Sequence, residues 1–475
     1  MHTINYCLFT LLLLAGFASA DASNLHSPDE LKEDFRQLYE KLENASYDLY
    51  AHTPKATFQS YFDAELEKLD KPLTTLEAHK LFMRFTALAQ IAHTKIDFPI
   101  QALREYLSSG GKLLPLSVSI RGHAVYVDDY YGTSDSVSAG DEILTVNGVD
   151  AAVWIAELQH YVAADNDYLR DGVTEQSFAP LVWLHHGEQA EYSLRLRRKN
   201  TGEIYSLKQP TLAFEQHSDG IRQPHEGSSG PAREYKIIDG VGYLKPGPFY
   251  NIEEGSGDDT WNTQFFEKFI DDAFSHFVRE GVDNILIDLR NNPGGSNSFS
   301  DLMIAWFAER PFKFASDFKI KVSELSRQAN TERLENSANP SDINGQLDRF
   351  YGTYKNGEIV SFPLTETPPN RRERNIAHLP VAIYALIDKT SYSNAVSVAA
   401  IIQDYEFGLV LGQETADLAT TYASIEHFTL KNTGIQVAYP KALIVRPNGD
   451  TEPSGVVPDQ DINSLDQALD YIKSQ

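Results

Sequence analysis

Hydrophobic and polar positions change period several times along this chain, and each change predicts a different kind of element. Ser27-Pro28-Asp29-Glu30 reads as a capping box with proline in the first turn, after which Leu31, Phe35, Leu38, Tyr39 and Leu42 recur at helical spacing. Two more helices are expected near 55–70 and 74–92, the second with Leu81, Phe82, Phe85, Leu88 and Ile91 on one side. Shorter alternating runs between 113 and 210 predict a β-rich unit, in which Gly140-Asp141 leads into Ile143-Leu144-Val146 and Asn147-Gly148 closes a hairpin. The stretch from Gln216 to Arg233 is rich in Gly, Ser and Pro and is expected to be a linker or loop. Beyond it the pattern becomes strand, helix, strand: Val241-Gly242-Tyr243-Leu244, then Phe265, Phe266, Phe269, Ile270, Phe274 and Phe277 at helical spacing, then the apolar run from Asn284 to Leu289. That order predicts a parallel sheet with crossover helices, so the fold class is α+β with an α/β core. Residues 326–348 and 363–375 are polar and are expected to be exposed.

Two strand–turn–helix units carry the candidate chemistry. The first ends in Asn291-Asn292-Pro293-Gly294-Gly295, where paired glycines let the backbone approach a ligand and aim N–H groups at it. Such a turn suits a phosphate cradle or half of an oxyanion hole. The second runs from Ala382–Ile387 through Asp388-Lys389-Thr390-Ser391-Tyr392-Ser393-Asn394-Ala395 into a helix bearing Val396, Ala399, Ala400 and Ile402. A serine in that turn is held at the mouth of the sheet beside helix N–H groups.

The segments LIDLRNNPGG, TSYSNAVSVAAIIQD and GLVLGQETAD resemble the core of the C-terminal processing, or tail-specific, peptidases and their tricorn-like relatives. The resemblance implies a ClpP/crotonase-like core and serine peptidase activity. Either Ser391 or Ser393 fits the family's nucleophile motif, and the spacing to Gly412-Gln413-Glu414-Thr415 favours Ser393. The lysine that many members use as base falls on Leu418, which cannot accept a proton. The tricorn-like branch implies a histidine and a glutamate instead, matched by Ile91-Ala92-His93-Thr94 and by Glu452 ahead of Gly455-Val456-Val457-Pro458-Asp459. Ser393, His93 and Glu452 are therefore the expected Ser-His-Glu set, with a rate that rises around a histidine pKa of about 6.5 or higher. Gly294 or Gly295 and the backbone of Asn394 are the expected oxyanion donors. Asp404 is expected to pack or cap its helix. Ser138–Val149 resembles the signature of PDZ domains, which implies either capture of peptide ends or a degenerate lid.

Composition narrows the picture. A chain of 475 residues suffices for two or three domains, and a net charge of −26 argues against nucleic acid or an anionic membrane as partner. The run Leu8–Phe17 followed by Ala18-Ser19-Ala20 reads as a signal peptide cleaved after Ala20, so the protein is expected to be secreted or periplasmic, with no membrane insertion afterwards. The only cysteine, Cys7, lies in that leader, which excludes cysteine nucleophiles and disulfides from the mature chain. No zinc-ligand spacing occurs, so no metal and no cofactor are expected. The expected layout is leader 1–20, helical segment 21–110, PDZ-like unit 111–212, linker 213–234 and protease core 235–475. The leading expectation is an endopeptidase acting on peptides or unfolded proteins. Leu418 and the Ile91-Ala92 pair, which stands where the branch carries Asp-Gly, motivate a second: a catalytically silent peptide-binding protein. Hydrolysis of a non-peptide ester or amide is a third, because an acyl-enzyme site does not itself select peptides.

Overall fold

The computed structural model describes residues 24–132, 134, 136–213, 233–253, 260–336 and 342–475. The leader with Cys7, and the Gln216–Arg233 stretch apart from Arg233 itself, lie outside the described residues.

The first helix, Pro28–Ala45, begins as its sequence dictates. The Ser27 side chain accepts from the Glu30 N–H, and Glu30 returns a bond from the Ser27 N–H at 2.8 Å. Its apolar stripe of Leu31, Phe35, Leu38 and Leu42 packs onto helices Lys55–Lys68 and Thr75–Ala87, with Phe35 stacked on Phe82 at 5.5 Å. The third helix stops at Ala87 instead of running to 92. Gln90 takes a left-handed φ of 53°, which a helix cannot contain, and the chain turns there to present His93.

The middle of the chain forms an antiparallel sheet of Leu116–Arg121, Ala124–Tyr130, Glu142–Val146, Glu191–Arg197 and Ile204–Pro210, in that order. Asn147 and Gly148 make the expected hairpin, both at positive φ (51° and 81°), and pair Val149–Asp150 back onto the third strand. The unit expected to be β-rich over 113–210 also holds three helices, Ala151–Gln159, Asp167–Gln176 and Phe178–His186, in the interval between the third and fourth strands. Asp150 starts the first of them by accepting from the Ala152 N–H at 3.0 Å, and Asn166 starts the second by accepting from the Leu169 N–H at 2.7 Å.

The core sheet runs Glu234–Ile238, Val241–Lys245, Asn284–Asp288, Ala382–Ile387, Leu409–Gly412, Gln460–Asp461, with every neighbouring pair parallel except the first. Helices Gln264–Glu280, Asn297–Ile304 and Asn394–Asp404 pack against it, burying Phe266, Phe274, Phe277 and Phe299. Phe265, placed by spacing alone on the apolar side, points to solvent instead. A second, antiparallel sheet of Ile359–Ser361, Asp317–Lys321, Gln436–Val445 and Thr421–Thr429 lies in the same half of the chain. The polar stretch 326–348 is not simply exposed. It contributes to helices Glu324–Asn336 and Asp342–Thr353, where Ser326, Asn330 and Leu347 are buried. Burial of Ser326 is tolerated because it is bonded, its N–H donating to Ser323 Oγ at 3.1 Å, and Asn330 Nδ2 donates to the Asn344 carbonyl at 3.1 Å.

What matters for function is how the N-terminal helices dock on this second sheet. Lys95 and Ala438 exchange backbone bonds of 3.1 and 2.8 Å, and the Tyr47 N–H donates to the Pro440 carbonyl at 2.8 Å. Asp34, fully buried, accepts from the Thr433 N–H (2.8 Å), the Thr433 hydroxyl (2.7 Å) and the Asn432 N–H (3.0 Å). One apolar core is continuous from the N-terminal helices through the middle unit to Ala416, Phe428, Val437 and Tyr439. The Asp34→Ala variant strands these donors and is expected to lose about 3 kcal/mol in denaturant unfolding. A loss below about 0.5 kcal/mol would show that the dock does not depend on this carboxylate.

Candidate active site

The two turns singled out in the sequence meet at the carboxyl ends of adjacent parallel strands. Asn292, buried between them, donates Nδ2 to the Gly247 carbonyl at 2.7 Å and accepts from the Gly294 N–H at 2.9 Å through Oδ1. Its own carbonyl accepts from the Tyr392 N–H at 3.0 Å, and the Asn291 N–H donates to Thr390 Oγ1 at 2.7 Å. These bonds knit the glycine turn to the serine turn. A Cβ at Gly294 (φ 83°) would lie 2.6 Å from the Asn394 nitrogen and 2.8 Å from Ser393 Cβ, so no larger residue fits. Because the Gly294 N–H is given to Asn292, Gly295 is the glycine whose N–H suits an oxyanion, together with the Asn394 N–H at the first turn of its helix.

The two serines separate cleanly. Ser391 is fully buried, donates its hydroxyl to the Leu289 carbonyl at 2.9 Å and accepts from the Asp388 N–H at 3.2 Å. Ser393 is partly exposed at the start of helix Asn394–Asp404 with φ 53° and ψ −122°, a conformation costly for any residue but glycine. Strain of this kind aims a nucleophile out of a strand-to-helix turn. The Ser393 N–H donates to Asp417 Oδ2 at 2.6 Å, and the Leu418 N–H donates to Asp417 Oδ1 at 3.0 Å. Asp417 is fully buried. Burial first, and the charge of Asp165 second, push its carboxyl up to about 7.

His93 is buried, its ring 5.6 Å from that of Tyr392, the residue before Ser393. The Tyr422 carbonyl bonds its ring, and Nδ1 is buried without a partner. Burial, then the charge of Lys95, lower it to about 4, so it is a neutral imidazole at neutral pH. The expectation of a value at or above the ordinary one is corrected on that ground. No hydrogen bond joins His93 to Ser393. Just before it, the Ala92 N–H donates to Asp165 Oδ2 at 3.0 Å. Asp165 is pushed up to about 6 by burial, and its Oδ1 lies 3.8 Å from His52 Nε2 with no hydrogen bond. Next to it, Asn166 Nδ2 donates to the Ala416 carbonyl at 3.1 Å.

Glu452 is not brought to His93. Its side chain is exposed, while the turn that carries it packs on residues 414–419: the Ala419 N–H donates to the Ser454 carbonyl at 3.0 Å, and the Val456 N–H to Thr415 Oγ1 at 2.9 Å. Leu418 is buried at the position where a lysine base would stand. Lys389 is paired with Glu175, and Lys441 lies 2.5 Å from Glu426. Asp404 holds Arg446 at 2.7 Å and is a packing residue, as expected. Among the described residues no group of three His, Cys, Asp or Glu side chains is placed to hold a metal ion. Asp165 and Asp417 are the site residues that sequence reasoning missed. Asp417 stands inside a motif read only for its lysine position, and Asp165 lies in the long interval of the middle unit.

Residues 260–462 match the family model described as Peptidase family S41. The fold is similar to that of mature CPAF complexed with lactacystin, at 16% identity and TM-score 0.59, covering 94% of this chain and 97% of that one. A second structure of mature CPAF aligns at 18% identity and TM-score 0.58, covering 94% and 96% of the two chains. The photosystem II D1 C-terminal processing protease aligns over 93% of this chain and 96% of its own at 13% identity, with a TM-score of 0.46. No curated protein matches the chain.

The different placements of the two serines have a measurable consequence. Ser391→Ala removes a buried bond and is expected to lower stability by about 1–2 kcal/mol, whereas Ser393→Ala is expected to change it by less than about 0.5 kcal/mol. Chemical denaturation of both variants checks this, and equal losses would contradict the assignment of Ser391 as structural.

Proposed function

We propose that this chain, whose residues 260–462 match the model described as Peptidase family S41, is a serine-type peptidase acting on peptide or protein substrates, an exported endopeptidase working through an acyl-enzyme on Ser393. The observation that carries the reading is the strained elbow of Ser393 at the head of its helix, packed against the glycine turn at Gly294. The Ser393 hydroxyl attacks the scissile carbonyl while the Gly295 and Asn394 N–H groups receive the developing oxyanion. His93, neutral and buried next to Tyr392, takes the serine proton and returns it to the leaving amine. Water then repeats the sequence to release the acyl group. Glu452 closes the set when substrate covers the site: its side chain lies in solvent, on a turn already packed against the 414–419 segment. The apolar leader ending in Ala18-Ser19-Ala20 supports export.

A second reading, a silent peptide-binding protein, is favoured by the missing His93–Ser393 bond and by the outward Glu452. It predicts tight peptide binding with no turnover.

The test is cleavage of casein or a peptide library by the mature protein and its variants. Ser393→Ala is expected to lower kcat by at least about 1000-fold, and Gly294→Ala by about 100-fold or more through the loss of the oxyanion geometry. Cleavage by Ser393→Ala at the parent rate would remove the acyl-enzyme account. Glu452→Gln is expected to lower kcat with the fold intact, and full retention of rate and pH profile would exclude it as orienter. An imidazole lowered to about 4 is already deprotonated throughout the neutral range, so its titration places an acid limb only near that value. Any limb found closer to neutrality belongs to another group. Titrating His93 by NMR checks this, and an imidazole value of about 6.5 or higher would contradict it.

A further inference from the structure

Asp417 sits where three parts of the chain converge. Its two carboxylate oxygens are divided between two backbone donors, Ser393 N–H at 2.6 Å and Leu418 N–H at 3.0 Å. Its carbonyl accepts from Thr415 Oγ1 at 2.9 Å, and Thr415 in turn bonds Val456 on the turn that carries Glu452. Asp165–Asn166 of the middle unit reaches across to it. Asn166 bonds the Ala416 carbonyl, and Asp165 bonds the Ala92 N–H immediately before His93. We propose that Asp417 is a positioning residue that holds Ser393 in its strained conformation, and that Asp165, delivered by the middle unit, couples this anchor to the His93 loop. The inference rests on the reading of Ser393 as nucleophile.

The physical reason lies in the acceptor count. A residue at φ 53° stays there only if its surroundings over-determine it, and an ionised carboxylate offers an oxygen to each N–H with charge-assisted strength. Once protonated, one oxygen carries a hydrogen and faces a donor, so one of the two bonds is lost. The elbow is therefore firm with Asp417 ionised and loose with it protonated. The groups around the pair are His93, Lys95 and Asp97 from the N-terminal segment, His52 beside Asp165, and Tyr392 from the serine turn. None of them forms an ion pair with Asp417, and the charge that acts on it, that of Asp165, opposes ionisation. Activity should thus fall as Asp417 takes up a proton near pH 7, well above the histidine. The sign follows from the proton: a carboxyl raised to about 7 is protonated below that pH, so the active form accumulates as pH rises through it.

Three measurements on the mature full chain test the proposal. The parent enzyme is expected to show an acid limb in kcat near pH 7 that moves little with temperature, as carboxylate ionisation does. A limb near 4, or one that shifts with warming as imidazole ionisation does, overturns the proposal. Asp165→Asn keeps an acceptor for the Ala92 N–H but removes the charge, so the limb is expected to move to lower pH by about half a unit or more, with KM within about twofold. An unmoved limb overturns it. Asp417→Asn is expected to lose at least about tenfold in kcat at every pH with KM nearly unchanged. If that variant does not fold, the first two measurements decide. Failure of the nucleophile reading is distinguishable: there, Ser393→Ala cleaves like the parent. If Ser393→Ala is inactive but the limb ignores Asp165, only the anchor account falls.

Discussion

A serine forced into a left-handed backbone conformation at the head of a helix is the constraint on which this molecule turns. Ser393 cannot hold φ 53° by its own preference, and the price appears as structure around it. Asn292 locks the neighbouring turn, Gly294 leaves room where a Cβ would collide with Ser393 and Asn394, and Asp417 grips the Ser393 N–H at 2.6 Å. Each of these features is idle without the strained residue. Together they hold the serine turn against the glycine turn.

The second requirement is to bring distant stretches of chain to that point. The core sheet supplies the glycine and serine turns, but His93 belongs to the helical N-terminus and Asp165 to the middle unit. Their arrival depends on backbone pairing of Lys95 with Ala438, on the buried Asp34 gripping residues 432 and 433, and on an apolar core shared by all three regions. Burial of this kind has an electrostatic consequence. The imidazole is driven down and the two carboxyls are driven up, so the site is assembled from groups whose charged forms are all disfavoured. The two carboxyls of such a site change protonation state closer to neutrality than ordinary carboxyls do, the imidazole stays neutral there, and the charge of Asp165 reaches Asp417.

Local signals in the sequence carried most of the fold. The Ser27–Glu30 capping box, the Asn147-Gly148 hairpin and both strand–turn–helix units depend on residues close in sequence and appear where the pattern puts them. The serine choice was half legible: motif spacing favoured Ser393, and only the structure shows that Ser391 is consumed by the Leu289 carbonyl. What was not legible depends on distance or environment. The break at Gln90 follows from how the His93 loop docks, not from its composition. Helices over the polar segment 326–348 rely on buried polar groups finding partners elsewhere, which periodicity cannot express. The downward shift of His93 and the anchoring role of Asp417 arise from burial and from contacts across the chain, and no motif announces them.

Under the proposed function one serine, and that one alone, is presented as a nucleophile. A fluorophosphonate probe reacts with an activated serine hydroxyl and leaves an adduct that peptide mapping can locate. A single adduct on Ser393 is expected, at one equivalent per chain and abolished by unfolding, with Ser391 unmodified. An adduct on Ser391 or on any other serine, or a folded protein that takes up no probe, would contradict it.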